Sequence, residues 1–242
     1  MLKLIHGEVY RLFHKKSMYL YFAILLIGYF LVAFVRSGGF DEESVLQDVM
    51  TLFNLLPALI GGFLFVAIYT DDLNAKNLIT LVGYGLSKAK IVLAKFIIGA
   101  VFAAVAFALM PLFHCGVYAL LGHAATTDQM TVIFIISLKF FLMTLAFFSF
   151  SSIVAYGVQR TTFAIVAYIL FAFNIVGSLL VAATKMLSSK IAEYLLTGLT
   201  DKVLIGMISG DPVVLPILGC VVYIVVAMVL SVVAFHKKEM EF

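Results

Sequence analysis

YTDDLNAKNLITLVGYGLSKAKIVLAKF, Tyr69–Phe96, is a polar and basic segment set between two long apolar runs. A tight turn is enough to join two membrane-crossing helices, so a connection of this size has room to form a surface of its own. Its charges are Asp71, Asp72, Lys76, Lys88, Lys90 and Lys95. Asp71 and Asp72 read as the start of a helix, where carboxylates face the positive end of the peptide dipoles. Leu73, Leu78, Ile79, Leu81 and Val82 continue it as a short, partly apolar helix, and Gly83 and Gly85 stop it. Ser87 then stands at the N-cap of a second helix, which enters the next apolar run through Lys90 and Lys95.

Composition names the solvent around that segment. Of 242 residues, 64% are hydrophobic and 12% charged, with a mean hydropathy of +1.16. Soluble domains are about 45–50% apolar and about 25% charged, so this chain belongs in a bilayer. Charged residues cut it into long uncharged runs that read as spans at about 17–35, 50–70, 91–121, 138–158, 162–184 and 213–235, with the connecting loop at 70–90. A helix needs about 20 apolar residues to cross the hydrocarbon. A membrane β-barrel would alternate in segments of about ten, a pattern this chain lacks. The expected fold is therefore all-α, one transmembrane domain over 1–242 with six spans. The first run starts late and has Phe34, Val35 and Arg36 where a leader would carry a small-residue cleavage site, so it reads as a retained span. Cys115 and Cys220 both fall inside apolar runs and read as buried free thiols.

Orientation follows from where the cations lie. Eleven of the 16 Lys and Arg fall on the side of the termini and the 70–90 loop, the other five being Arg36, Lys139, Lys185, Lys190 and Lys202. Asp41, Glu42, Glu43 and Asp48 are also on that second side. The excess of cations marks the first side as cytosolic. Residues 1–16 read as an amphipathic interfacial helix, with Leu2, Ile5, Val9, Leu12 and Phe13 toward lipid and Lys3, Gly7, Arg11, His14 and Lys15 opposite. Pro111 interrupts an overlong third run, and a kink is expected there. Lys139 is expected to snorkel to the outer headgroups. Leu187, Ile191, Tyr194 and Leu195 recur at helical spacing, predicting a short helix lying on the outer leaflet, with Gly198 ending it.

Catalytic motifs are missing. There is no HExxH, no GxSxG elbow and no GxxxxGK[ST] phosphate loop, and the five histidines are scattered. Ionisable residues are almost absent from the spans, which argues against a proton relay. The chain is therefore not expected to be an enzyme or to bind a cofactor or metal, and a transport role would need power from another chain. Two further classes stay open on the residues alone: an intramembrane enzyme acting on lipids or peptides, and a secondary transporter.

The order of an acid, a short helix, Lys-Asn, Gly, Leu-Ser-basic and Ala-Lys is carried by Asp72, Lys76, Asn77, Leu78, Gly85, Leu86, Ser87, Lys88, Lys90, Ile91, Ala94 and Lys95. It resembles the first cytosolic loop of ABC-2 type permeases. The similarity is greatest to the small six-span permeases of Gram-positive peptide, bacteriocin-immunity and antimicrobial-resistance exporters. One departure is Lys88, where that loop often has Arg. The resemblance implies the ABC-2 (type V exporter) architecture: an N-terminal interfacial helix, a cytosolic coupling helix at about Asp72–Val82, and outer interfacial helices before span six. It implies a subunit of an exporter in a bacterial plasma membrane, with a second permease, identical or not, and a separate ATPase that holds ATP and Mg. Contact with that ATPase falls to Asp72, Leu73, Asn74, Lys76, Asn77, Leu78, Leu81 and, from the Gly157–Thr162 loop, Arg160. Spans two and five would line the pathway, placing Asn54, Pro57, Asn174 and Ser178 there, although an Asn in a span also serves as an interhelical hydrogen-bonding group. The expected partners are the ATPase, the second permease and membrane lipid, and no nucleic acid.

Overall fold

The computed structural model describes residues 2–36, 49–74, 77–122, 124–187 and 189–237. Lys76, His123, the carboxylates Asp41, Glu42, Glu43 and Asp48, and Lys238 lie outside them. Among the described residues every regular element is a helix. In chain order these are α1 (Leu2–Phe13), α2 (Lys16–Arg36), a π-helix (Pro57–Gly61) leading into α3 (Gly62–Asn74), α4 (Asn77–Gly83), α5 (Lys88–Leu120) and α6 (Thr127–Val158). They continue as α7 (Thr161–Ala172), α8 (Ile175–Leu187), α9 (Ser189–Ala192), α10 (Leu196–Ser209) and α11 (Val214–Lys237). Among the described residues five stretches are long and apolar enough to cross a membrane: Lys16–Val35, Val49–Leu73, Lys88–Leu120, Thr127–Val158 and Val214–Lys237. Together α7 and the following helix to Thr184 make a sixth, if a pair bent by 56° counts as one span. This is the pattern of a multi-pass membrane protein.

One helix, α6, is longer than the charge boundaries predicted, starting at Thr127 where they put the span at 138. α5 has 33 residues and α6 has 32, roughly 50 Å each at 1.5 Å per residue. Lys88, Lys90 and Lys95 are inside α5, and Lys139 is inside α6. The start of α6 is fixed by a capping box, in which Thr126 accepts from the Gln129 amide and Gln129 accepts from the Thr126 amide.

α5 also runs unbroken through Pro111. Proline has no N–H to give to the carbonyl four residues back, that of Phe107. The Ser137 hydroxyl of α6 donates to that same carbonyl at 2.5 Å, so the neighbouring helix fills the vacancy. Ser137→Ala is expected to cost about 1 kcal/mol by leaving a buried carbonyl unpaired. Adding Pro111→Ala restores a local N–H, and thermal unfolding in detergent should show most of that loss recovered.

Small side chains let helices close on one another. α6 and α11 meet through Ser149, Ser152 and Ala155 on one side and Ala227 and Ser231 on the other, all buried, with the Ser152 and Ser231 hydroxyls 2.6 Å apart. A Cβ on Gly99 of α5 would sit 2.6 Å from the Phe148 ring of α6. By contrast α2 meets the bundle lightly, and most of its apolar stretch is not buried. Tyr21 and Tyr29 tie it down: Tyr21 donates to the Leu59 carbonyl at 2.6 Å, and the Tyr29 hydroxyl bonds His114 Nδ1 at 2.5 Å.

Three surface expectations are corrected. The apolar side of α1 is turned onto the bundle: Leu12 is fully buried, Ile5 and Val9 pack on the core, and Tyr10 and Phe13 are exposed. The segment after span five is not one helix on the leaflet. α10 buries Leu199, Thr200, Val203 and Leu204 and packs on α6 and α11. Gly198, expected to end a helix, lies in the first turn of α10, where a Cβ would meet the Glu193 carbonyl at 2.7 Å. Because α10 packs inward, it brings Asp201 to Lys139 at 2.6 Å. Lys139 therefore pairs with a carboxylate instead of reaching for headgroups.

Candidate functional site

The connection between the second and third spans is built from its ends inward. α3 carries through Asn74, so Asp71 and Asp72 close a helix and do not open one. Two carboxylates in a last turn oppose the helix dipole, and cations from other elements offset them. Lys95 of α5 pairs with Asp72 and, at 2.6 Å, with Glu8 of α1. Arg11 of α1 reaches Glu8 at 2.7 Å, Asp71 at 3.3 Å and Asp72 at 3.6 Å. Lys15 pairs with Asp71 at 2.8 Å. Three carboxylates and three cations thus balance in one cluster.

Burial divides the cluster into an inner and an outer part. The side chains of Lys95, Asp72 and Glu8 are 1%, 5% and 11% exposed, whereas that of Asp71 is 41% exposed. Pairs at the outer, hydrated edge contribute about 0–1 kcal/mol. For the inner three, loss of one partner strands a charge away from water. The buried Tyr69 and Tyr156 rings stack edge-on below, 5.6 Å apart.

Between these anchored ends lies α4, seven residues long. It ends in a Schellman motif: Gly85 is left-handed at φ 81°, its amide bonds Val82, and the Leu86 amide bonds Leu81. The next helix begins at Ser87 as read from sequence, although the Ser87 side chain makes no cap bond; its carbonyl accepts from Lys90 and Ile91. Leu78 is buried at 6% exposure, and Leu73 and Leu81 pack against the same core. Asn77, Thr80 and Tyr84 are exposed, Tyr84 to 82%.

The residues assigned to ATPase contact therefore divide by exposure. Asn77 lies on the outward face, Leu73 and Leu81 are half-buried, and Leu78 and Asp72 are buried in this chain's own core and ion cluster. Asn74 ends α3, and Lys76 is outside the described residues. Arg160 is exposed at the start of α7, just after Gln159 turns the chain at φ 55°.

The four residues assigned to a pathway are also placed. Asn54 is exposed in a turn before the π-helix. Pro57 is buried at the first position of that π-helix, and its carbonyl accepts from the Tyr168 hydroxyl of α7 at 2.9 Å. Asn174 sits at the break between α7 and α8 in the left-handed region, at φ 55°, which Asn tolerates better than most residues. Its side-chain oxygen covers Gly177, where a Cβ has no room. The exposed Ser178 gives its hydroxyl to the Ile175 carbonyl at 2.9 Å.

Sequence reasoning missed Glu8, Lys95 and Tyr168. The first two left a readable signal. Ile5, Glu8, Val9 and Leu12 share one helical face, as do Ile91, Lys95 and Ile98, so each ion lies on an otherwise apolar stripe. An acid on one apolar stripe and a base on another is the pattern of a buried pair.

No protein-family model matches this chain, and no curated protein matches it.

Proposed function

We propose that this chain is the permease subunit of an ATP-binding-cassette exporter of the ABC-2 type, moving a peptide, antimicrobial or other amphipathic substrate out of the cell or membrane. The observation that carries this reading is α4, a short helix between two spans, held at both ends and presenting Asn77 and Thr80 outward, with the exposed Tyr84 just after it. A helix mounted in that way transmits a push to the spans instead of yielding to it. The charge distribution supports placing it and both termini in the cytosol, where a separate ATPase with its ATP and Mg is found. Arg160 would make a second, smaller contact. A second copy of the chain or a related permease would complete the pathway.

A secondary carrier is the other reading with an observation behind it, since the span formed by α7 and α8 is broken at Asn174 and such carriers use broken helices. Nucleotide dependence separates the two. Purified alone, the chain should not hydrolyse ATP; co-expressed with its ATPase, it should co-purify with it. Asn77→Ala with Thr80→Ala should then weaken that association. Loss of an interface anchor costs about 2 kcal/mol, or roughly thirtyfold in affinity. Transport driven by an ion gradient without nucleotide would replace the exporter reading with the carrier.

A further inference from the structure

The ion cluster joins three elements that are remote in sequence. Asp71 and Asp72 lie just before the 75–87 connection, and Lys95 lies two turns after it. Lys95 and Asp72 already pair directly. α1 then lies across them, with Glu8 on Lys95 and with Arg11 and Lys15 on Asp71. Leu12 is sealed beneath it at 0% exposure, and the Phe13 ring meets Phe102 of α5 at 5.4 Å. One turn later, through Lys15, the chain continues into α2. This α2 makes few other contacts with the bundle.

We propose that α1 is a conformational clamp: by bridging the end of α3 to the start of α5, it holds the connection that carries α4, and it links movement of α4 to the first span. The chemistry suits a clamp that opens. An apolar seam would hold more firmly, whereas a balanced cluster of six ions exchanges partners without stranding a charge, provided its members move together. The outer pairs of Asp71 are hydrated enough to break first, and the buried Glu8–Lys95–Asp72 set keeps the helix in register. The inference concerns residues of this chain only, and it holds whichever partner meets α4.

The test uses the full chain in lipid nanodiscs, in a background lacking Cys115 and Cys220. Leu12→Cys reports on docking of α1 through its rate of maleimide labelling, and a spin label at Thr80→Cys reports on the freedom of α4. Arg11→Ala with Lys15→Ala removes half-exposed side chains and leaves the Lys95–Asp72 pair intact, so the fold is kept. Labelling at Leu12→Cys should rise about tenfold, the effect of losing about 1.4 kcal/mol, and the Thr80 spin label should become more mobile in the same variant. Glu8→Gln, which removes one of the two carboxylates on Lys95, should shift both readouts the same way. Unchanged labelling in both variants would overturn the clamp. Faster labelling with an unchanged spin label would overturn it too, because α1 would then have come loose without freeing α4.

Discussion

Lys95→Met is expected to cost about 3–5 kcal/mol of stability, the penalty for removing one partner from a buried ion group. Methionine keeps the stem of the lysine but leaves Glu8 and Asp72 with only Arg11, which Asp71 also shares, as their counter-charge. Arg11 cannot replace it, because its guanidinium already serves Glu8, Asp71 and Asp72. The triple variant Glu8→Gln, Asp72→Asn, Lys95→Met removes all three inner charges together and should recover most of the loss, since neutral replacement of a buried ion set is often harmless. Thermal unfolding in detergent reads both. A single-variant loss below about 1 kcal/mol would mean that the inner cluster is hydrated and behaves as a surface pair.

Gly61→Ala is expected to cost about 3 kcal/mol, the upper range for overpacking a close-packed site. A Cβ on Gly61 would run into the Tyr168 hydroxyl and lie 2.7 Å from the Thr144 methyl. Neither neighbour is free to give way. The Tyr168 hydroxyl is fixed on the Pro57 carbonyl, and Thr144 Oγ1 is fixed on the Phe140 carbonyl at 2.7 Å. Tyr168→Phe alone should cost about 1 kcal/mol for the lost hydrogen bond. Combined with Gly61→Ala, however, it removes the nearest obstacle, so the double variant should be more stable than Gly61→Ala alone. Simple additivity of the two losses would show that the π-helix and α7 do not meet as described.

These two sites show how far the sequence reaches. Span edges at Lys16, Val35 and Lys237 were legible because an unpaired charge cannot enter hydrocarbon. The same rule misplaced the start of α6, read at 138 and found at Thr127, since Lys139 has a partner and so need not mark an edge. The partner of Lys139, Asp201, is dozens of residues away, and nothing local announces it. Asp71 and Asp72 were assigned to a helix start by the dipole rule, which is worth about 0.3–1 kcal/mol at an exposed end. Ion pairing with α1 and α5 outweighs that term and puts them at a helix end instead. The short helix itself was legible, from its leucines and from Gly85. Which leucine faces inward was not, because a seven-residue helix has too few turns for a pattern to show.

The exporter reading stands or falls on what touches α4. A photo-crosslinking residue at Thr80, in cells expressing the chain with the ATPase proposed to power it, measures that directly. The account predicts an adduct with an ATP-binding-cassette ATPase from Thr80 and from Asn77, and none from Val101, which is 54% exposed on α5 within the span. Adducts from Val101 as strong as those from Thr80, or no ATPase adduct from either α4 position, would contradict it.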